Sequence, residues 1–100
     1  MKKIKVQPKS GFNVVARTKK SEAATMVIKP GDKEGGPDNK HDADQWLFVL
    51  DGEGEAIVEG HHAKLEPGVL LEIAAGERHE IRNTGEADLS TLNFYSGLEY

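Results

Sequence analysis

Glycine and proline punctuate this chain at nearly even intervals. Pro30-Gly31, Asp51-Gly52, Gly60, Pro67-Gly68, Gly76 and Asn83 with Gly85 each supply turn chemistry. Glycine reaches positive φ without steric cost and proline cannot donate to a ladder, so these positions end strands. The runs between them are short and rich in β-branched, aromatic and aliphatic residues: 24–29, 46–50, 55–59, 62–65, 69–73, 79–83 and 89–95. No run has a convincing helical period. Turn signals about every eight to twelve residues between short strands predict an all-β sandwich or barrel, with the double-sheet jelly roll favoured. Two stretches resist assignment. Residues 14–24, with Arg17, Lys19, Lys20, Ser21 and Glu22, read as a short helical turn or a polar hairpin. Residues 32–42 read as one polar loop, longer than the usual connection of about 4–6 residues.

Alternation within the strands sets their faces. Trp46 and Phe48 share the side opposite Leu47 and Val49, yet both sides are apolar. One side belongs in the core. The other needs cover, which predicts a homodimer built on Trp46 and Phe48. In the last strand Leu89, Thr91, Asn93 and Tyr95 alternate with Ser90, Leu92 and Phe94.

Composition narrows the function classes. A chain of 100 residues with 37% hydrophobic and 30% charged content is expected to form one globular domain over 1–100. Net charge is −4 and the basic residues are scattered, so a nucleic-acid surface is not expected; Lys2, Lys3 and Lys5 read as a solvated amino terminus. No apolar run approaches the ~20 residues of a membrane span, and Met1 to Ile4 do not lead into a secretory signal, so the expected location is cytoplasmic. With no cysteine, chemistry must come from His, Asp, Glu, Gln, Asn or a bound ion.

The histidines are the chemical signal. His79 opens a strand with Ile81 on the same face, so an inward His79 requires a hydrogen-bond partner, a water or a metal. On residues alone, His41 and His79 are either two interior polar side chains or two ligands of one ion. His61 and His62 fall at a hairpin turn and read as surface. Asp38, Asp42 and Asp44 read as a solvated acidic loop. Glu72 and Glu80 lie opposite Ile73 and His79 and are excluded as general acids or bases. Asn83 with Gly85 reads as a structural turn.

The spacing of these residues resembles the cupin superfamily, in its small single-domain form. Gly68, Gly76, His79 and Asn83 stand in the register of the second cupin motif, with Ala74 where proline belongs. The first motif is looser: Gly52 sets the frame, Gln45 takes the glutamate position, and His41 and Asn39 take the two histidine positions. Its opening glycine departs, since Gly31 lies two residues too early. The resemblance covers about residues 24–95 and implies a double-stranded β-helix barrel. It further implies a divalent metal ion (Zn, Fe, Ni or Mn) held by His41, Gln45, His79 and Asn39. Leu47, Val49, Leu71 and Ile73 would then form an apolar pocket wall. The donor set lacks the usual carboxylate, which lowers the expected affinity unless water, a ligand oxygen or Asp44 at a strand bulge compensates. Two functions follow as expectations. One is a metal-dependent enzyme on a small oxygenated molecule, and the other is a non-catalytic binding or sensor module using the same pocket.

Overall fold

The computed structural model describes residues 1–36 and 41–97, and nine strands form among them. They are β1 (Gly11–Arg17), β2 (Ser21–Ile28), β3 (Lys33–Gly35), β4 (Asp44–Asp51), β5 (Gly54–Val58), β6 (His61–Leu65), β7 (Leu70–Ile73), β8 (His79–Asn83) and β9 (Leu89–Ser96). A five-stranded sheet runs β1-β2-β9-β4-β7 and a four-stranded sheet runs β3-β8-β5-β6. Every pairing is antiparallel. No described residue is helical, and no helix is long and apolar enough to cross a membrane. The two sheets face each other as a jelly roll.

Alternation explains the core. On β4, Gln45, Leu47 and Val49 are buried while Trp46 remains exposed and Phe48 half-buried. Met26, Ile28, Leu47, Val49, Ala56, Leu65, Ile73, Ile81 and Leu89 form one cluster drawn from both sheets. Truncating one of its fully buried leucines to alanine should cost about 2–5 kcal/mol, since both transfer energy and a residual cavity count against the variant.

Two stretches left open or read as loop by the sequence are ordered as strands. Of the two readings of residues 14–24 the structure takes the hairpin and not the helical turn: they complete β1–β2, closed at Thr18–Ser21 by backbone and hydroxyl hydrogen bonds. The 32–42 stretch is not wholly loop, because Lys33–Gly35 adds β3 to the edge of β8. β3 lacks an apolar alternation since backbone pairing with β8 and the ion pair of Lys33 with Glu80 hold it, and neither leaves a hydropathy pattern.

Turns explain the glycines that fix the frame. Gly52 sits at φ 91°, and a Cβ there would run into the carbonyl oxygen of Asp88. Glu59 and Gly60, at φ 47° and 79°, link the paired Val58 and His61 as a two-residue hairpin turn. The turn therefore ends before His61 and His62, which open β6 as exposed side chains. Asn83 has a larger role than its turn suggests. Its amide donates to the carbonyls of Ile28 and Ala87, both at 2.8 Å, and its oxygen accepts from Gly85 N at 2.8 Å.

Candidate binding site in the barrel mouth

The site forms where the segment before β4 meets the β7–β8 turn. Gly76 N donates to His41 O at 2.8 Å, and Ala75 N donates to Asp44 Oδ1 at 2.9 Å. These bonds stitch residues 41–44 to the 74–76 turn. From the other side Gly36 N donates to His79 O at 3.2 Å. His41 and His79, distant in sequence, thereby come edge to face with ring centroids 4.8 Å apart. Tyr95, inward on β9, packs on His41 at 5.4 Å and on Phe12 of β1 at 6.2 Å.

These groups line a cavity of about 230 Å³ bounded by Phe12, Met26, Glu34, Gly35, His41, Gln45, His79, Ile81 and Tyr95. Phe12, Met26 and Ile81 give the lining its apolar part, and Glu34, His41, Gln45, His79 and Tyr95 its polar part. Of the residues marked by sequence, His41, Gln45 and His79 meet here. Asn39 and Asp38 lie outside the described residues. Leu47, Val49 and Ile73 are fully buried in the core and do not reach the cavity, and Leu71 packs half-buried against that core. The apolar wall thus comes from β1, β2 and β8 and not from β4 and β7, because Gln45 alone of the inward β4 residues lies at the open end. Asp44 points away from the cavity into its bond with Ala75 N.

Sequence reasoning missed Phe12, Glu34, Asn93 and Tyr95. A signal existed for two of them, since Asn93 and Tyr95 fall on the inward face of β9 by simple alternation, where polar groups need partners. Asn93 finds them: Gln45 Nε2 donates to Asn93 Oδ1 at 2.9 Å, and Asn93 Nδ2 donates to Thr91 Oγ1 at 3.0 Å.

Burial shapes the titrating groups. Desolvation holds the His79 imidazole below its ordinary pKa, opposed by the backbone oxygen of Glu77 at 3.1 Å from Nδ1 and reinforced by His41. Burial also pushes the Tyr95 phenol up to about 12, aided by Glu22, so the hydroxyl remains a donor at neutral pH. Glu80, excluded above as an acid–base group, is buried on the outer face beneath Arg82 Nε at 2.6 Å and Lys33 Nζ at 3.1 Å. These hydrogen-bonded cations hold its carboxyl below the usual range, so it stays ionised.

Of the donors implied for a divalent ion, His41, Gln45 and His79 come together in this cavity. His41 places Nε2 at 2.8 Å from Gln45 Oε1 and Nδ1 at 2.8 Å from Ala43 O, so each ring nitrogen already faces a carbonyl oxygen. Among the described residues, no group of three or more His, Cys, Asp or Glu is placed to hold a metal ion. A ligating imidazole donates through one ring nitrogen and turns the lone pair of the other to the metal; with Nδ1 at Ala43 O, the nitrogen of His41 left for that is Nε2, beside Gln45 Oε1.

Fold and motif register agree with the comparisons. The cupin domain family model matches residues 24–95, and the chain belongs to that family. It resembles the HTH-type transcriptional activator RhaS of Mannheimia succiniciproducens, at 29% identity over 76 residues; these are 75% of this chain but 28% of the activator, so the chain spans little more than a quarter of that relative. Among solved structures, TT1209 from Thermus thermophilus superposes with TM-score 0.80 at 22% identity, over 90% of this chain and 85% of that one. The DMSP lyase DddQ from Ruegeria pomeroyi superposes with TM-score 0.71 at 26% identity, over 80% of this chain and 40% of that one.

Proposed function

We propose that the chain is a small-molecule binding or sensor module whose ligand occupies the barrel-mouth cavity. The observation that carries this reading is the meeting of the polar His41, Gln45, His79 and Tyr95 with the apolar Phe12, Met26 and Ile81 in one cavity. A few convergent polar groups opposite an apolar surface select a small oxygenated molecule that presents hydroxyl or carbonyl oxygens on one side and carbon on the other. Kinship with part of a transcriptional activator supports a sensing role. The test is a thermal-shift screen of monosaccharides, hydroxy acids and short carboxylates, followed by NMR of each stabilising compound. Saturable stabilisation without chemical change in the compound supports the module, and turnover of the compound contradicts it.

A second reading, a metal-dependent enzyme on a small oxygenated molecule, draws support from the 4.8 Å approach of two imidazoles and from the likeness to a lyase. It requires His41 Nε2 and Gln45 Oε1, 2.8 Å apart, to turn together toward an ion. Metal analysis of the purified protein with Zn, Fe, Ni and Mn separates the two readings.

The module is further proposed to be a homodimer. Trp46 and Phe94 are paired neighbours on the outer face of β4 and β9, Phe48 lies between Leu92 and Leu70 in the next row, and Trp46, Phe94 and Leu70 are exposed. A second copy of the same face is the self-complementary cover such a patch accepts. None of Trp46, Phe94 and Leu70 lines the cavity.

A further inference from the structure

We propose that Glu34 sets the charge selectivity of the barrel-mouth cavity, which therefore takes an alcohol or amine that brings hydrogen-bond donors and no negative charge, and turns carboxylates away. The inference deepens the binding-module reading by naming the ligand class, and rests on it for the existence of a ligand. Its physical basis is the register of one edge strand. Glu34 of β3 is the antiparallel partner of Ile81 of β8, and residues paired in this way project to the same face. Ile81 is buried in the core, so Glu34 is turned inward with it, and both line the cavity. Lys33 and Gly35 face the other way, as the partners of Arg82 and Glu80. There Lys33 Nζ and Arg82 Nε close on Glu80 at 3.1 and 2.6 Å, so the cations of these two strands are engaged on the outer face.

Among the described residues, no lysine or arginine lines the cavity, and Glu34 makes no ion pair. Residues 37–40 bring Asp38 and Lys40, whose formal charges cancel. Two further carboxylates act on the lining from outside it. Glu77, bonded to Ala74 N at 2.7 Å, adds negative potential at His79, and Glu22 does the same at Tyr95, where Arg17 at 2.8 Å offsets it. Glu34 is thus the one carboxylate in the described lining. An ionised carboxylate only accepts hydrogen bonds, so a group placed against it must supply O–H or N–H. Alcohols and amines do so. A ligand carboxylate supplies neither and meets a like charge.

The experiment uses the full chain, treated with EDTA, and three nitroxide probes that share one skeleton: aminomethyl-PROXYL, carbamoyl-PROXYL and carboxy-PROXYL, which are cationic, neutral and anionic. Paramagnetic relaxation of the Phe12, His41 and Tyr95 ring protons reports which probe the cavity admits. Wild type is expected to show the order cationic, neutral, anionic. In Glu34→Gln the ratio of cationic to anionic effect should fall by at least about threefold, within what one unit charge at contact distance exerts even in water. Glu86→Gln removes the same charge from the β8–β9 turn, beyond Asn83 at the end of β8 away from His79, and should leave that ratio unchanged. A wild-type cavity that admits the anionic probe as well as the cationic one overturns the proposal, even if no variant folds. So does an unchanged ratio in Glu34→Gln, or an equal fall in Glu86→Gln, which would assign the effect to the net charge of the chain. The probes report admission whether or not the ligand screen finds a binder, so failure of the binding-module reading and failure of the charge selection are read separately.

Discussion

Gln45 places Oε1 2.8 Å from His41 Nε2 and donates from Nε2 to Asn93 Oδ1 at 2.9 Å, so a single amide joins the segment before β4 to the middle of β9. The two contacts differ in reach. His41 is four residues away in sequence and Asn93 forty-eight, so Gln45 ties a local turn to the long-range sheet. Leaving either partner unpaired in this buried setting is costly, which gives the arrangement its rigidity.

Replacing Asn83 by alanine should destabilise the fold by about 2–4 kcal/mol, because three hydrogen bonds of roughly 0.5–1.5 kcal/mol each are lost together. Urea denaturation measures it. A loss within about 0.5 kcal/mol, the range of an ordinary surface substitution, would show that water replaces the amide and that the residue does not hold β2 to the β8–β9 turn.

Thr25 offers the opposite sign. Its hydroxyl is buried and has no hydrogen-bond partner among the described residues. Thr25→Val removes an unsatisfied polar atom at nearly constant volume and should stabilise by about 1–2 kcal/mol. The melting temperature should rise by roughly 4–8 °C per kcal/mol for a domain of this size. A lower melting temperature in the variant would mean the hydroxyl has found a partner in solution.

Acid should weaken the fold through His79. Burial holds its folded pKa below the ordinary 6.5, so the unfolded chain takes up this proton first as pH falls. The stabilisation is complete above about 6.5 and is lost as pH drops through the lower folded value. Melting curves from about pH 8 to about pH 5 should decline more steeply in wild type than in His79→Gln. Parallel curves would remove His79 from the account.

Light scattering at micromolar concentration should give about twice the 10.9 kDa chain mass, as a homodimer through the Trp46–Phe94 face requires. Trp46→Lys should dissociate or aggregate the protein while leaving the imidazole spectra of the cavity in place. A wild-type monomer at high concentration would leave that face without its proposed cover.

Much of the fold is legible because apolar alternation and turn residues encode it. β4, β8 and β9 stand out from their neighbours, and Gly68, Gly76, His79 and Asn83 mark the β7–β8 corner. β3 is hidden because its order comes from edge pairing, not from apolar side chains of its own. The meeting of His41, Gln45 and His79 in space follows from motif register. The continuation from Gln45 through Asn93 and Thr91 to the Met26 carbonyl does not, since no local pattern carries a chain of buried hydrogen bonds between strands. Phe12 and Tyr95 reach the cavity by packing together from β1 and β9, on either side of β2, which sequence spacing does not describe.

The most direct test of the binding-module account is calorimetry of the EDTA-treated protein with the compound that most stabilises it. The account predicts saturable one-to-one binding in the continued presence of EDTA, weakened at least about tenfold, or roughly 1.4 kcal/mol, in Tyr95→Ala and His79→Ala. The exposed pair should be silent, so the His61→Ala/His62→Ala double variant should bind as wild type does. Binding that vanishes with EDTA and returns on adding zinc, nickel, manganese or ferrous iron would contradict the account and establish the metal-dependent reading in its place.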